Sequence, residues 1–223
     1  NVINYDSVFT GCRFYYIYMN NASFGPGITN VSQMFSGLFS HDPTYTYLLN
    51  WDLSNVKTIE NFFSHTNYEG SDLHIENWRT ENIISFASCF NHCENLINID
   101  LSTWKTNNVE NFHAMFYSCN NLKQINLSGW NINNAKDLSY MFAWCTNMNS
   151  FDFLSGWKTN NVTNMAALFA GITSVPSYNF LNTWNFSNVT NMSSMFDAYY
   201  YQTQTNINVV NWKVNKVTDF SVC

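Results

Sequence analysis

Residues 96–122 place apolar side chains at Leu96, Ile99, Leu101, Trp104, Val109, Phe112, Met115, Phe116, Cys119 and Leu122, with Asn, Ser, Thr and Asp filling most of the gaps. The next stretch repeats the pattern almost letter for letter, through Ile125, Leu127, Trp130, Ala135, Leu138, Met141, Phe142, Cys145 and Met148. The chain is built from repeats, and every other reading starts from that.

Tryptophan is the clearest marker, at Trp51, Trp78, Trp104, Trp130, Trp157, Trp184 and Trp212, spaced by 26 to 28 residues. A fixed period of that length is the signature of stacked coils, in which each unit covers a hydrophobic face its neighbour cannot bury alone. Two rhythms are read inside a unit. Ile99 and Leu101 alternate with polar residues, which predicts a short strand. From Val109 to Cys119 the apolar steps are three or four, which predicts a short helix. Asn55, Asn82, Asn108, Asn134, Asn161 and Asn188 each precede the first apolar residue of that segment and are predicted to cap it. Strands pack about 4.8 Å apart and helices about 10 Å. The expected shape is therefore an arc, with a parallel β-sheet on the concave side and short helices on the convex side. The expected division is an aromatic, cap-like segment at residues 1–24, followed by a single solenoid at 25–223 of seven to eight repeats, the last incomplete.

Composition narrows the function. Of 223 residues, 11% are charged and 18% aromatic, which predicts an ordered chain. Nine scattered Lys and Arg against a net charge of -6 disfavour nucleic acid and membrane-surface binding. No apolar run is long enough to insert into a bilayer. The first residue is Asn1 rather than Met, which reads as a processed or excised chain.

Cys89, His92, Cys93, His113 and Cys119 have the chemistry of a zinc site. Because Cys93, Cys119 and Cys145 recur three residues after Phe90, Phe116 and Phe142, they read instead as small apolar core residues. No metal and no other cofactor is expected. Cys12 and Cys223 are better placed to bridge something. No nucleophile elbow or phosphate loop is present, so the chain is not read as an enzyme.

The segment from Trp184 to Phe196, with its Ser-Asn-Val-Thr-Asn-Met-Ser-Ser-Met-Phe run, resembles the repeat of the BspA-like leucine-rich-repeat surface proteins. Phe116, Cys119, Leu122 and Asp100-Leu101-Ser102 fit its second half. The resemblance implies an α/β repeat fold, a right-handed leucine-rich-repeat-like solenoid. It also implies a secreted or cell-surface protein used for adhesion or protein binding, with no catalytic residues.

Strand positions four and two residues before each Trp point outward: Tyr47 and Leu49, His74 and Glu76, Asp100 and Ser102, Asn126 and Ser128, Phe153 and Ser155, Phe180 and Asn182, Asn208 and Val210. With Asp72 nearby, the candidate ligand-binding residues are Asp72, His74, Glu76, Asp100, Ser102, Asn126 and Ser128. Interface candidates are Tyr15, Tyr16, Tyr18, Tyr199, Tyr200 and Tyr201, together with Cys12 and Cys223. The expected partner is a protein or glycan on a surface, or further copies of the chain.

Overall fold

The computed structural model describes residues 5–14, 17–40, 46–66, 73–173, 175, 177–197 and 207–221. Successive repeats stack in parallel register. A ladder of single-residue bridges runs Asn30, Thr58, Ser85, Asn111, Asp137, Asn164, Asn191, Asp219, one residue per coil. Regular strands are few and short: β1 (Arg13–Phe14), β2 (Ile17–Tyr18), β3 (Phe39–Ser40), β4 (Thr46–Tyr47), β5 (Asn98–Asp100) and β6 (Gln124–Asn126). They pair in parallel as β1 with β3, β2 with β4 and β5 with β6.

The expected α/β solenoid with convex helices is wrong. Among the described residues there is no α-helix, only 3₁₀ segments at Asp152–Leu154 and Asn179–Thr183, and the strands form three separate pairs rather than one concave sheet. With no helices on the far side, the spacing mismatch that required an arc is gone.

Two linked turns stand where the helix was expected. The N–H groups of Met115, Tyr117 and Cys119 donate to carbonyls three residues back, at Phe112, Ala114 and Phe116. Those between them, on Phe112, Ala114, Phe116 and Ser118, donate 25 residues ahead to Asp137, Ser139, Met141 and Ala143 of the next coil. A helix would keep its amides to itself; here alternate amides stitch one coil to the next. Ala114 (φ 51°) and Ser118 (φ 57°) make this possible by adopting the left-handed region that the third position of such turns requires. Other coils do the same at Asn61 and His65, Ser88 and His92, Tyr140 and Trp144, and Ala167 and Gly171. Residues 7–12, within the segment read as a cap, repeat the motif: Ser7, Phe9 and Gly11 donate to Ser32, Met34 and Ser36.

The difference has a test. Ala114→Gly in a helix interior costs about 1 kcal/mol. In this turn glycine instead relieves left-handed strain. Thermal unfolding of Ala114→Gly is expected to show a melting temperature equal to or above that of the parent chain, and a fall would speak for a helix.

Polar repeats are explained by hydrogen bonds rather than by helix caps. At all eight ladder positions the Asn, Asp, Ser or Thr side-chain oxygen accepts the N–H two residues on, at 2.7–3.3 Å, which fixes the bend entering each double turn. The six asparagines expected as caps have another task. Each donates its Nδ2 to a main-chain carbonyl of the preceding coil, as Asn108 does to Glu81 at 2.9 Å and Asn161 to Asn133 at 2.7 Å. Buried Thr106 works on both sides of one residue, donating to the Asn131 carbonyl and accepting its N–H.

One continuous core fills the stack. Rings of Phe9, Phe35, Phe63, Phe90, Phe116, Phe142, Phe169 and Phe196 lie one above another, 5.4–6.2 Å apart and within 16° of parallel. Beside them Trp51, Trp78 and Trp104 stack, and Trp130, Trp157 and Trp184 stack. Indole N–H groups of Trp51, Trp78, Trp104, Trp130 and Trp184 each donate to a carbonyl of the preceding coil, so the same side chains fill the core and tie the coils together.

Candidate functional site

Because the main chain bonds along the stack, the sides of the coils carry side chains in columns, one per repeat. The face read from Tyr47 onward is extended by Tyr18, read as an interface residue, which pairs with Tyr47 and is 64% exposed. Tyr18 stacks on Tyr47 (5.1 Å, 14°) and Tyr47 on His74 (5.6 Å, 1°). Next in register come Asp100 and Asn126, paired across β5 and β6. Asn126 Nδ2 donates to Asp100 Oδ2 at 3.0 Å. Strand pairing and ring stacking thus align two short runs, the aromatic Tyr18–Tyr47–His74 and the polar Asp100–Asn126.

Each polar member is held in place locally. Asp100 Oδ1 accepts the Ser102 N–H at 2.9 Å, and Asn126 Oδ1 accepts that of Ser128 at 3.2 Å. The Ser102 hydroxyl and N–H, with a further contribution from the Asn126 amide, hold the Asp100 carboxyl below the usual carboxylate range against the opposing effect of burial. Asp100 is therefore a fixed anion at neutral pH. Glu76 lines an open groove with Trp78, Arg79, Glu81, Thr103 and Lys105. There Arg79 is already bridged to Asp52 at 3.1 Å and Glu81 at 2.6 Å.

The structure does not bring every candidate together. Phe153 and Phe180, read as outward, turn inward through the 3₁₀ segments. Phe180 is buried against Phe169, and Phe153 packs on Phe142 and Phe151. Asp72, Tyr15, Tyr16, Tyr199, Tyr200, Tyr201 and Cys223 lie outside the described residues. Cys12 is half-buried with a free thiol.

Cysteine and histidine do not converge. Cys93, Cys119 and Cys145 are buried and donate S–H to the Phe63, Phe90 and Phe116 carbonyls at 3.0–3.1 Å. Burial pushes the Cys145 thiol up to about 12, and Cys119 and Cys89 also well up. These are poor nucleophiles. His92 stacks on His65, whereas His113 Nδ1 meets Ser139 Oγ at 2.8 Å. Among the described residues no three His, Cys, Asp or Glu side chains are grouped to hold a metal ion.

A second surface escaped the strand-centred reading. Half a coil away in sequence, His65, His92, Tyr117, Tyr140 and His113 form a continuous row of ring contacts on the double turns. Nearby Trp144 packs on a small alanine cluster. The signal available in sequence was the appearance of large rings at turn positions that other coils fill mostly with small or polar residues, but it needs the turns to be known first.

These features define a tandem-repeat protein of stacked turn-and-bridge coils. The chain belongs to a family described as Mycoplasma protein of unknown function, DUF285, whose model matches residues 4–93, 29–152, 58–176 and 149–223. The first three matches begin 25 and 29 residues apart, about one coil each, so the family pattern is itself a run of this repeat. No curated protein and no solved structure matches the chain.

Proposed function

We propose that the chain is a non-catalytic binding and adhesion module, secreted or displayed on a cell surface, which recognises a protein or a glycan. The observation that carries this reading is the outward face with two ordered runs of side chains, the rings Tyr18–Tyr47–His74 and the polar pair Asp100–Asn126, each held by its own contacts. A rigid row of this kind limits the ordering cost of binding. The BspA-like pattern from Trp184 to Phe196 supports placing the module at a surface.

The test is binding of labelled protein to intact host cells. Tyr18→Ser with Asp100→Asn removes the outermost ring and the fixed charge while keeping the oxygen that accepts the Ser102 N–H. Binding is expected to fall several-fold with a change in melting temperature of about 2 °C or less. Unchanged cell binding would remove the column from the site.

Association between copies of the chain is the second reading. It is favoured by an apolar hollow lined by Met192, Phe196, Ile207, Val209, Trp212, Val214 and Phe220, with Val209 and Phe220 about half exposed. A monodisperse monomer by light scattering would sink it.

A further inference from the structure

The row of rings on the double turns is costly to build. His65 (φ 57°), His92 (φ 56°), Tyr140 (φ 60°) and Trp144 (φ 63°) all sit in the left-handed region. Equivalent places elsewhere hold Ser7, Gln33, Asn61, Ser88, Ala114, Ala167 and Ser194 in the first turn and Gly11, Gly37, Ser118 and Gly171 in the second. Glycine is the least strained residue there, and a bulky side chain is a conformational outlier.

The rings are also fixed in position. His65 and His92 stack at 4.6 Å, whereas His92 meets Tyr117 at 68°, Tyr117 meets Tyr140 at 63°, and His113 meets Tyr140 at 72°. Trp144 lies over Gly171 so closely that a Cβ there would come within 2.6 Å of the indole. Tyr140 remains 41% exposed. Of the five rings, His65 and Tyr140 are exposed and His92, His113 and Tyr117 half-buried.

We propose that this row is a carbohydrate-binding strip on which sugar rings of a neutral glycan lie. Negative ring faces attract the weakly positive C–H face of a pyranose. Asn91, just before His92 and at the coil position of Tyr117, has a buried Oδ1 with no hydrogen-bond partner, an acceptor that a hydroxyl or a bridging water satisfies. Charge does not favour an anionic ligand. The row's described ring contacts and ion pairs include no Lys or Arg, and the charged neighbour is Glu94, 3.5 Å from His92 Nδ1. A protein partner fits less well, because hot spots fill desolvated pockets and the described hollows lie elsewhere on the chain.

The strip rests on the binding-module reading but not on the strand column. Its test is the full chain on an array of neutral glucose-, galactose- and N-acetylglucosamine-based oligosaccharides, followed by titration calorimetry with a retained oligosaccharide. His92→Gly with Tyr140→Gly removes two rings and relaxes both backbones, so loss of folding does not confuse the result. The expected outcome is retention by the parent chain and binding weaker by about tenfold or more in the variant, with an unchanged or raised melting temperature. The strip is overturned if the parent chain retains no neutral oligosaccharide or if the variant binds equally. Those failures leave the strand column standing, because it is read separately by Tyr18→Ser with Asp100→Asn on cells.

Discussion

Replacing Trp104 with alanine is expected to remove about 3–5 kcal/mol of stability. Trp104 is completely buried, stacked on Trp78 at 5.8 Å and tilted against Phe86 and Phe90. Its Nε1 donates to the Ile75 carbonyl at 2.9 Å, so truncation opens a cavity and also strands a main-chain acceptor. At about 2–4 °C per kcal/mol for a chain of this size, the melting temperature is expected to fall by about 6–20 °C. Coils contact mainly their neighbours, so the break in the middle of the stack is also expected to broaden the transition or split it in two. Calorimetry would show this; a single sharp transition within about 3 °C of the parent would contradict the stacked core. Trp104→Phe should lose less, since the ring stack survives and the indole donor is the main loss.

Gly129→Ala is expected to be the most damaging single-methyl change. A Cβ at Gly129 would lie 1.9 Å from the Ser102 carbonyl oxygen and 3.1 Å from its carbon, so main chain in the preceding coil must move. Overpacking of this kind costs about 1–3 kcal/mol or more. Gly25→Ala is the control, because a Cβ there meets nothing within 4 Å and the residue has no left-handed φ. Urea unfolding should place Gly129→Ala well below the parent and Gly25→Ala close to it. Equal midpoints for the two variants would mean that the coils at Ser102 and Gly129 are not in close approach.

How the repeat folds was only partly legible. The strand at Ile99 and Ile125 was read correctly, because alternation of apolar and polar residues has one common structural cause. The helix was misread from the three-residue steps. Thr106, Val109, Phe112 and Met115 step strictly by three, as do Phe116, Cys119, Leu122 and Ile125. On a helix each step of three falls about 60° short of a full circle, so such a run wanders around the cylinder instead of lining one face. Steps of three, offset by one at Met115 and Phe116, match consecutive three-residue turns with every apolar side chain inward. Left-handed conformation was hidden for a different reason. Ala114, Tyr140 and Trp144 have no local preference for it; the bonds that hold them there come from residues 25 or more positions away.

The candidate site divides along the same line. Asp100 and Asn126 were legible because outward strand positions follow from the alternation around Ile99 and Ile125. Phe153 and Phe180 were misplaced because 3₁₀ segments replace the strand in their coils. The ring row could not be read at all, since it joins residues whose proximity depends on the double turns.

Sequence by itself determined the period, the Phe and Trp columns, the burial of Cys93, Cys119 and Cys145, and the polar outward positions Asp100, Ser102, Asn126 and Ser128. Each follows from a residue type recurring at one place in every coil. The tertiary structure alone decided that the segment after each ladder residue turns rather than spirals. A helix satisfies its own amides, but in this stack a neighbouring coil offers carbonyls at the spacing the alternate amides need. That long-range bonding overrides local preference and sets which side chains face outward.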